Sequence, residues 1–256
     1  MRDILARANR DVLEQLARSR ALLAFDFDGT LAPITTDPDR ARLRPSTRRL
    51  LEKAAQAYPC VVISGRSRAD VGRRLRGMAL AGLVGNHGLE HGRGPATRQR
   101  EVRRWLAVLR SRLRDVRGVV IEDKGVSLAV HYRRSREKRR ARARILAVAA
   151  GLGGVRRVGG KQVLNLLPAG APHKGLALQQ ERARLECDTA LYLGDDETDE
   201  DVFALDEPGQ LLAVRVGRRK GTSAAYYVRT QAEVDRLLRV LLALRPKAPA
   251  QGKGRR

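Results

Sequence analysis

Two aspartates, Asp26 and Asp28, close the apolar run of "ALLAFDFDGT" and are followed at once by Gly29 and Thr30. Side chains two apart on a strand point the same way, so both carboxylates face one side. Charge at the end of a buried strand destabilises the fold unless cations stand beside it. Other polar groups fall where the chain should leave a strand or enter a helix: Ser64 in "VVISGR", the acidic run "GDDETDED" (194–201) after "ALYL", and Lys174 in "PHKG". In an open parallel sheet such strand ends gather on one edge. Carboxylates gathered there repel one another and call for a hard cation, and an oxygen-only ligand set with room for water suits Mg²⁺. The metal leaves the site suited to a dianion such as a phosphate monoester. Ser64, Lys174 and the backbone N–H groups of Gly29 and Thr30 can hold the phosphate oxygens. One aspartate can then attack phosphorus while the other protonates the leaving oxygen.

Each piece alone has an ordinary reading. "DGT" can be a turn, with Gly29 at positive φ; Ser64 can be a cap and Lys174 a surface lysine. "GDDETDED" can be a solvated loop, but not a calcium-binding one. Counting from Asp195, the sixth position is Glu200 where glycine is required and the twelfth is Asp206 where glutamate is. The four together, in this order and each at a strand end or helix start, point to a site.

The elements that must position them follow from periodicity. Residues 3–19 carry apolar positions at helical spacing, which predicts an opening helix. Short β-rich runs at 21–27, 60–64 and 80–85 alternate with helical patterns, one of them announced by Pro45 and Ser46. That alternation predicts a parallel α/β sheet. The grammar then changes to a helix at 99–114, a hairpin ("GVVIEDKG", "VSLAVHYRR"), a second helix, and two strands around Gly159 and Gly160, which predicts a small α+β module. Parallel grammar resumes with a helix at 174–185, strands at 189–196, 211–217 and 225–228, and a last helix at 231–244. The fold class expected is α/β: a doubly wound, Rossmann-like parallel sheet from 1–88 and 168–244, an inserted α+β cap at 89–167, and a disordered basic tail at 245–256.

Composition bounds the function classes. The chain has 256 residues, 43% hydrophobic and 31% charged, and no apolar run near the ~18 residues of a membrane span. Its first twenty residues mix acid and base and do not read as a targeting segment, so a cytoplasmic location is expected. Cys60 and Cys187 lie far apart, outside any CxxC pair, and are expected as buried thiols. The net charge of +24 suggests polyanions. Only eight residues are lysine, and the arginine excess reads as scattered over nearly every segment. With aromatics at 4%, weak nonspecific nucleic-acid affinity is expected rather than single-strand recognition.

With these residues in place, the chain resembles the haloacid dehalogenase superfamily of phosphohydrolases, whose four motifs match "DFDGTL", "ISGR", Lys174 and "GDDETDED". Within it the chain is similar to the trehalose-6-phosphate phosphatase family, through "DFDGTLAPI", "GNHGLE" (85–90), "EDKGVSLAVHYR" (122–133), "LLP" before "HKG", and "GDDETDEDVF". The resemblance implies Asp26 as nucleophile and Asp28 as acid, then base. It implies Mg²⁺ held by Asp26, the Asp28 carbonyl and Asp195, with Asp196 or Asp199 in the outer shell or orienting Lys174. Gly65 and Arg66 of "ISGR" would join the phosphate and substrate contacts. In the cap, Glu122, Lys124, Arg133 and Lys161 would meet glucose hydroxyls, with Asn86, His87 and His131 near the junction. The family pattern carries glutamate where this chain has Asn165, which can accept from a hydroxyl but without the charge-assisted bond. The implied substrate is trehalose 6-phosphate, with sucrose 6-phosphate or a glucosylglycerol phosphate as alternatives and any trehalose-phosphate synthase as a separate chain. A basic nucleic-acid-binding protein on a degenerate fold is the reading of another class. The intact set Asp26, Asp28, Ser64, Lys174 and Asp195 argues against it.

Overall fold

The structure is a computed structural model and describes residues 1–35, 38–90, 96–205 and 207–246. Its larger layer is a seven-stranded parallel sheet. In chain order the strands are β1 (Arg2–Asp3), β2 (Ala21–Phe25), β3 (Cys60–Ile63), β4 (Gly82–Val84), β9 (Thr189–Gly194), β10 (Leu211–Val216) and β11 (Tyr226–Val228), and in space they run β1-β11-β10-β9-β2-β3-β4. Order reverses between β2 and β9, the switch point at which open α/β sheets bind ligands.

Strand alternation divides the core. Leu23, Phe25, Cys60, Val62, Leu191, Leu193 and Val214 face one side, against α1 (Arg10–Arg18), α2 (Pro45–Ala57), α3 (Arg68–Arg74) and α8 (Gln231–Leu244). Leu22, Ala24, Val61, Ile63, Ala190 and Tyr192 face the other, against α6 (Lys174–Arg184) and α7 (Glu200–Phe203). Continuous apolar runs form these strands because both faces are covered.

Between β4 and α6 lies the cap. Helices α4 (Ala96–Leu113) and α5 (Lys138–Ala150) pack on an antiparallel sheet of β5 (Val120–Asp123), β6 (Leu128–His131), β7 (Val155–Gly160) and β8 (Val163–Pro168), ordered β5-β6-β8-β7. Leu128, Val130, Leu164 and Leu166 join the helices through Trp105, Leu109 and Ile145. The alternate positions, with Glu122, His131 and Asn165 among them, are therefore on the opposite face.

Four expectations are corrected. The opening helix begins only at Arg10, because Arg2 and Asp3 pair with Tyr226 and Tyr227 as the sheet's edge strand and the Asn9 amide donates to the Asp3 carbonyl. Cys60 is buried but Cys187 is only half-buried. Arg245, assigned to the tail, is fixed: it donates to the carbonyls of Ala17 and Ser19 and lies over the Tyr58 ring at 4.4 Å. Residues 247–256 lie outside the described residues. Arginine excess is not evenly scattered: residues 89–167 hold 21 basic against six acidic side chains, a net +15 of the chain's +24. Among the described residues no helix is long and apolar enough to cross a membrane.

Candidate active site

Where β2 ends, the Asp26 amide still donates to Leu193, so the strand register carries its carboxylate, 5% exposed, to the carboxyl edge beside β9. Lys174 enters from the first residue of α6. Its ammonium, 1% exposed, donates to Asp26 Oδ1 at 2.7 Å and to Asp199 Oδ1 at 2.8 Å. Asp199 is held further by the Tyr192 hydroxyl at 2.7 Å, and its Oδ2 accepts from the backbone amides of Asp195 and Asp196. So saturated, Asp199 is an anchor for Lys174.

Asp26, Asp195 and Asp199 each bring one carboxylate oxygen within 4.8 Å of the others. Burial raises the pKa of Asp26 well above the ordinary range; Lys174 opposes the rise, and Asp199 and Asp195 add to it. Asp195 is pushed up to about 6, first by burial, against Lys161, whose ammonium lies 2.7 Å from its Oδ2. One lysine from the core and one from the cap therefore do not neutralise the group. Asp195 Oδ1 and Thr30 Oγ1 are buried with no hydrogen-bond partner. A hard cation fits that donor set. Gly29 is what permits the approach: it takes φ +89°, and a Cβ there would overlap the Asp195 carboxylate.

Two carboxylates stand apart from this group. Asp28 is engaged by Arg66 through both oxygens, at 2.6 and 2.7 Å, while Arg66 also reaches Asp70 at 2.8 Å. Asp196 caps the turn that follows, its Oδ1 accepting from the Glu197 amide at 2.8 Å, and it lies outside the group of three carboxylates. Ser64 is fully buried at the end of β3, its Oγ accepting from the Arg66 amide. Next to it, Gly65 lies so near His87 that a Cβ would overlap the imidazole.

Several side chains join the cap to the core. Lys161 meets Asp195, and Lys124 donates to the Gly65 carbonyl at 2.8 Å. Asn86 accepts from Ser127, and Arg156 grips both oxygens of Asp201 at 2.6 and 2.7 Å. Arg133 donates to the Thr35 and Lys161 carbonyls. Glu122 pairs with His131 at 2.9 Å. Burial pushes the Glu122 pKa up, but His131 and Lys124 outweigh it and hold it below the usual range. Asn86 and His87 both have positive φ, 49° and 58°. Such strain in non-glycine residues concentrates at functional sites. The His87 pKa is well below its usual value, through burial first and then Lys124 and Lys174. Asn165 is buried on the cap face that carries Glu122.

Sequence reasoning missed Tyr192, Asp70, the Arg156–Asp201 pair and Arg215, which donates to the Asp195 carbonyl and to Glu200 at 3.1 Å. Arg215 had a signal, a lone charge inside the apolar strand "LLAVRVG". Tyr192 reads as ordinary core.

Residues 24–232 match the family model described as trehalose-phosphatase. The chain belongs to the trehalose-phosphatase family. It is 30% identical over 261 residues to the probable trehalose-phosphate phosphatase 3 of Oryza sativa, covering 90% of this chain and 71% of that one. It is 34% identical over 264 residues to the trehalose-phosphate phosphatase of Mycobacterium tuberculosis, covering 90% of this chain and 66% of that longer protein. In fold it superposes on the C-terminal domain of Candida albicans trehalose-6-phosphate phosphatase with a TM-score of 0.79 at 24% identity, covering 92% and 97% of the two chains.

Proposed function

We propose that this family member hydrolyses trehalose 6-phosphate to trehalose and phosphate. The observation that carries the reading is the buried Asp26–Lys174–Asp199 array at the switch point, with Asp28 two residues on and a cap seated over both. Lys174 occupies Asp26 Oδ1, which leaves Oδ2 to attack phosphorus. As that bond forms, the bond from phosphorus to the sugar oxygen breaks, and Asp28, protonated on an oxygen that Arg66 has released, gives that proton to the departing oxygen. Asp28 then takes a proton from water as the water attacks the aspartyl-phosphate, which frees phosphate and restores Asp26. Asp26, Asp195 and the Asp28 carbonyl would hold Mg²⁺, whose chemistry is to offset the phosphate charge. Ser64 with the Gly29 and Thr30 amides would bind phosphate oxygens, and Asp199 orients Lys174. The unit 89–167 acts as the cap, in which Glu122, Lys124, His131, Lys161 and Asn165 face the sugar. A cytoplasmic setting completes the reading.

Asn165 favours a second substrate reading, another sugar phosphate such as sucrose 6-phosphate or a glucosylglycerol phosphate, because a neutral amide replaces a charged acceptor. A panel of these sugar phosphates with Mg²⁺ decides between them, and the highest kcat/KM is expected for trehalose 6-phosphate. Asp26→Asn should abolish phosphate release with the circular dichroism unchanged; measurable turnover would remove Asp26 as nucleophile.

A further inference from the structure

The cap's two helices turn a strongly cationic face away from the active site. Helix α4 carries Arg100, Arg103, Arg104 and Arg110 on its exposed side, and its one acid is Glu101; α5 has five basic residues and no acid. Elsewhere the positive charge is matched. The chain outside 89–167 and short of residue 247 has 27 basic against 22 acidic side chains, and its arginines pair widely, as in Arg44–Asp235, Arg74–Asp70, Arg182–Glu207 and Arg215–Glu200. On α4 and α5 the ion pair found among the described residues is Arg140–Glu137. So dense a field of one sign raises the energy of the folded cap by self-repulsion, and a bound polyanion relieves it.

We propose that the outer face of α4 and α5 binds the phosphate backbone of duplex nucleic acid, without sequence preference. Guanidinium groups dominate the face, and their planar fork matches phosphate oxygens. On α4, Arg103 and Arg104 lie three and four residues beyond Arg100, with Arg110 further along, which places the four along one side of the helix over about 15 Å, and duplex phosphates are spaced regularly over that length. Aromatic side chains are absent from the exposed side, so stacking on single strands is not available. Val108 is the large apolar residue exposed on it, too little to insert into a lipid surface. The Glu122 and Asn165 face of the cap sheet stays turned to the core, so binding on the helices leaves the active site accessible.

The test is fluorescence anisotropy of the full chain with a labelled 20-base-pair duplex, titrated at several salt concentrations. The expected slope of log K against log salt is about −4 to −5, and the variant carrying Arg103→Gln, Arg104→Gln, Arg139→Gln and Arg142→Gln should flatten it by about 3. Affinity at low salt should fall at least tenfold, with trehalose 6-phosphate hydrolysis unchanged. The core variant carrying Arg49→Gln, Arg236→Gln and Arg239→Gln should bind as the parent does. Equal losses in the two variants would overturn the proposal, as would an unchanged slope or tighter binding to phosphatidylserine vesicles than to the duplex.

Discussion

At the residue scale the informative contact is Arg66 with Asp28. A carboxylate that takes up and gives a proton at a leaving oxygen needs a fixed direction, and the Arg66 guanidinium, itself anchored by Asp70, supplies it, one of its two bonds to Asp28 giving way when that oxygen carries the proton. Removing Arg66 should therefore hurt most where the leaving group needs a proton. We expect Arg66→Gln to lower kcat on trehalose 6-phosphate about 100-fold and on p-nitrophenyl phosphate less than fivefold, since nitrophenolate departs unprotonated. Comparable losses on both substrates would assign Arg66 to phosphate binding instead. Asp26, Asp195 and Lys174 were legible in the sequence because each is a charge at the border of an apolar run. The Arg66–Asp28 pairing was not, because nothing local links residues 38 positions apart.

At the element scale the parallel sheet and the cap hairpin were legible, since alternation and turn residues are local signals. Edge strand β1 was not, being two residues whose only reason to extend is the partner at Tyr226 and Tyr227. The docking of cap on core was equally hidden, because it depends on side chains from separate elements. Of those contacts, Arg156 on β7 with Asp201 on α7 is two-pronged and partly buried. Breaking it should weaken the docking of the cap on the core, so Arg156→Ala and Asp201→Ala should each raise KM for trehalose 6-phosphate about fivefold, equivalent to about 1 kcal/mol. In a double-mutant cycle the pair should be no worse than either alone. Additive losses would mean that the two residues act through different partners.

At the scale of the whole molecule, stability and catalysis meet in the same carboxylates, and pH separates them. Asp195 holds its proton up to about pH 6 in the folded protein, against 3.8 for an ordinary aspartate. Across that window the folded state binds more protons than the unfolded chain, so this site's contribution to stability falls as pH rises; Asp26 is shifted in the same direction. His87 works the other way, because its pKa is depressed and the unfolded chain takes up a proton first as pH drops below about 6.5. The bare melting temperature therefore mixes opposing effects, whereas its response to metal isolates the carboxylates. A divalent cation competes with protons for Asp195 and Asp26, so saturating Mg²⁺ should raise Tm by about 5 °C or more at pH 7.5 and by less than about 2 °C at pH 5, with chelation reversing both. Differential scanning calorimetry with and without Mg²⁺ at the two pH values measures this. Asp195→Asn should abolish most of the increment at pH 7.5 while raising the metal-free Tm, since it removes a buried charge that the fold alone does not neutralise. An equal Mg²⁺ increment at pH 5 and pH 7.5 would place the cation on other ligands.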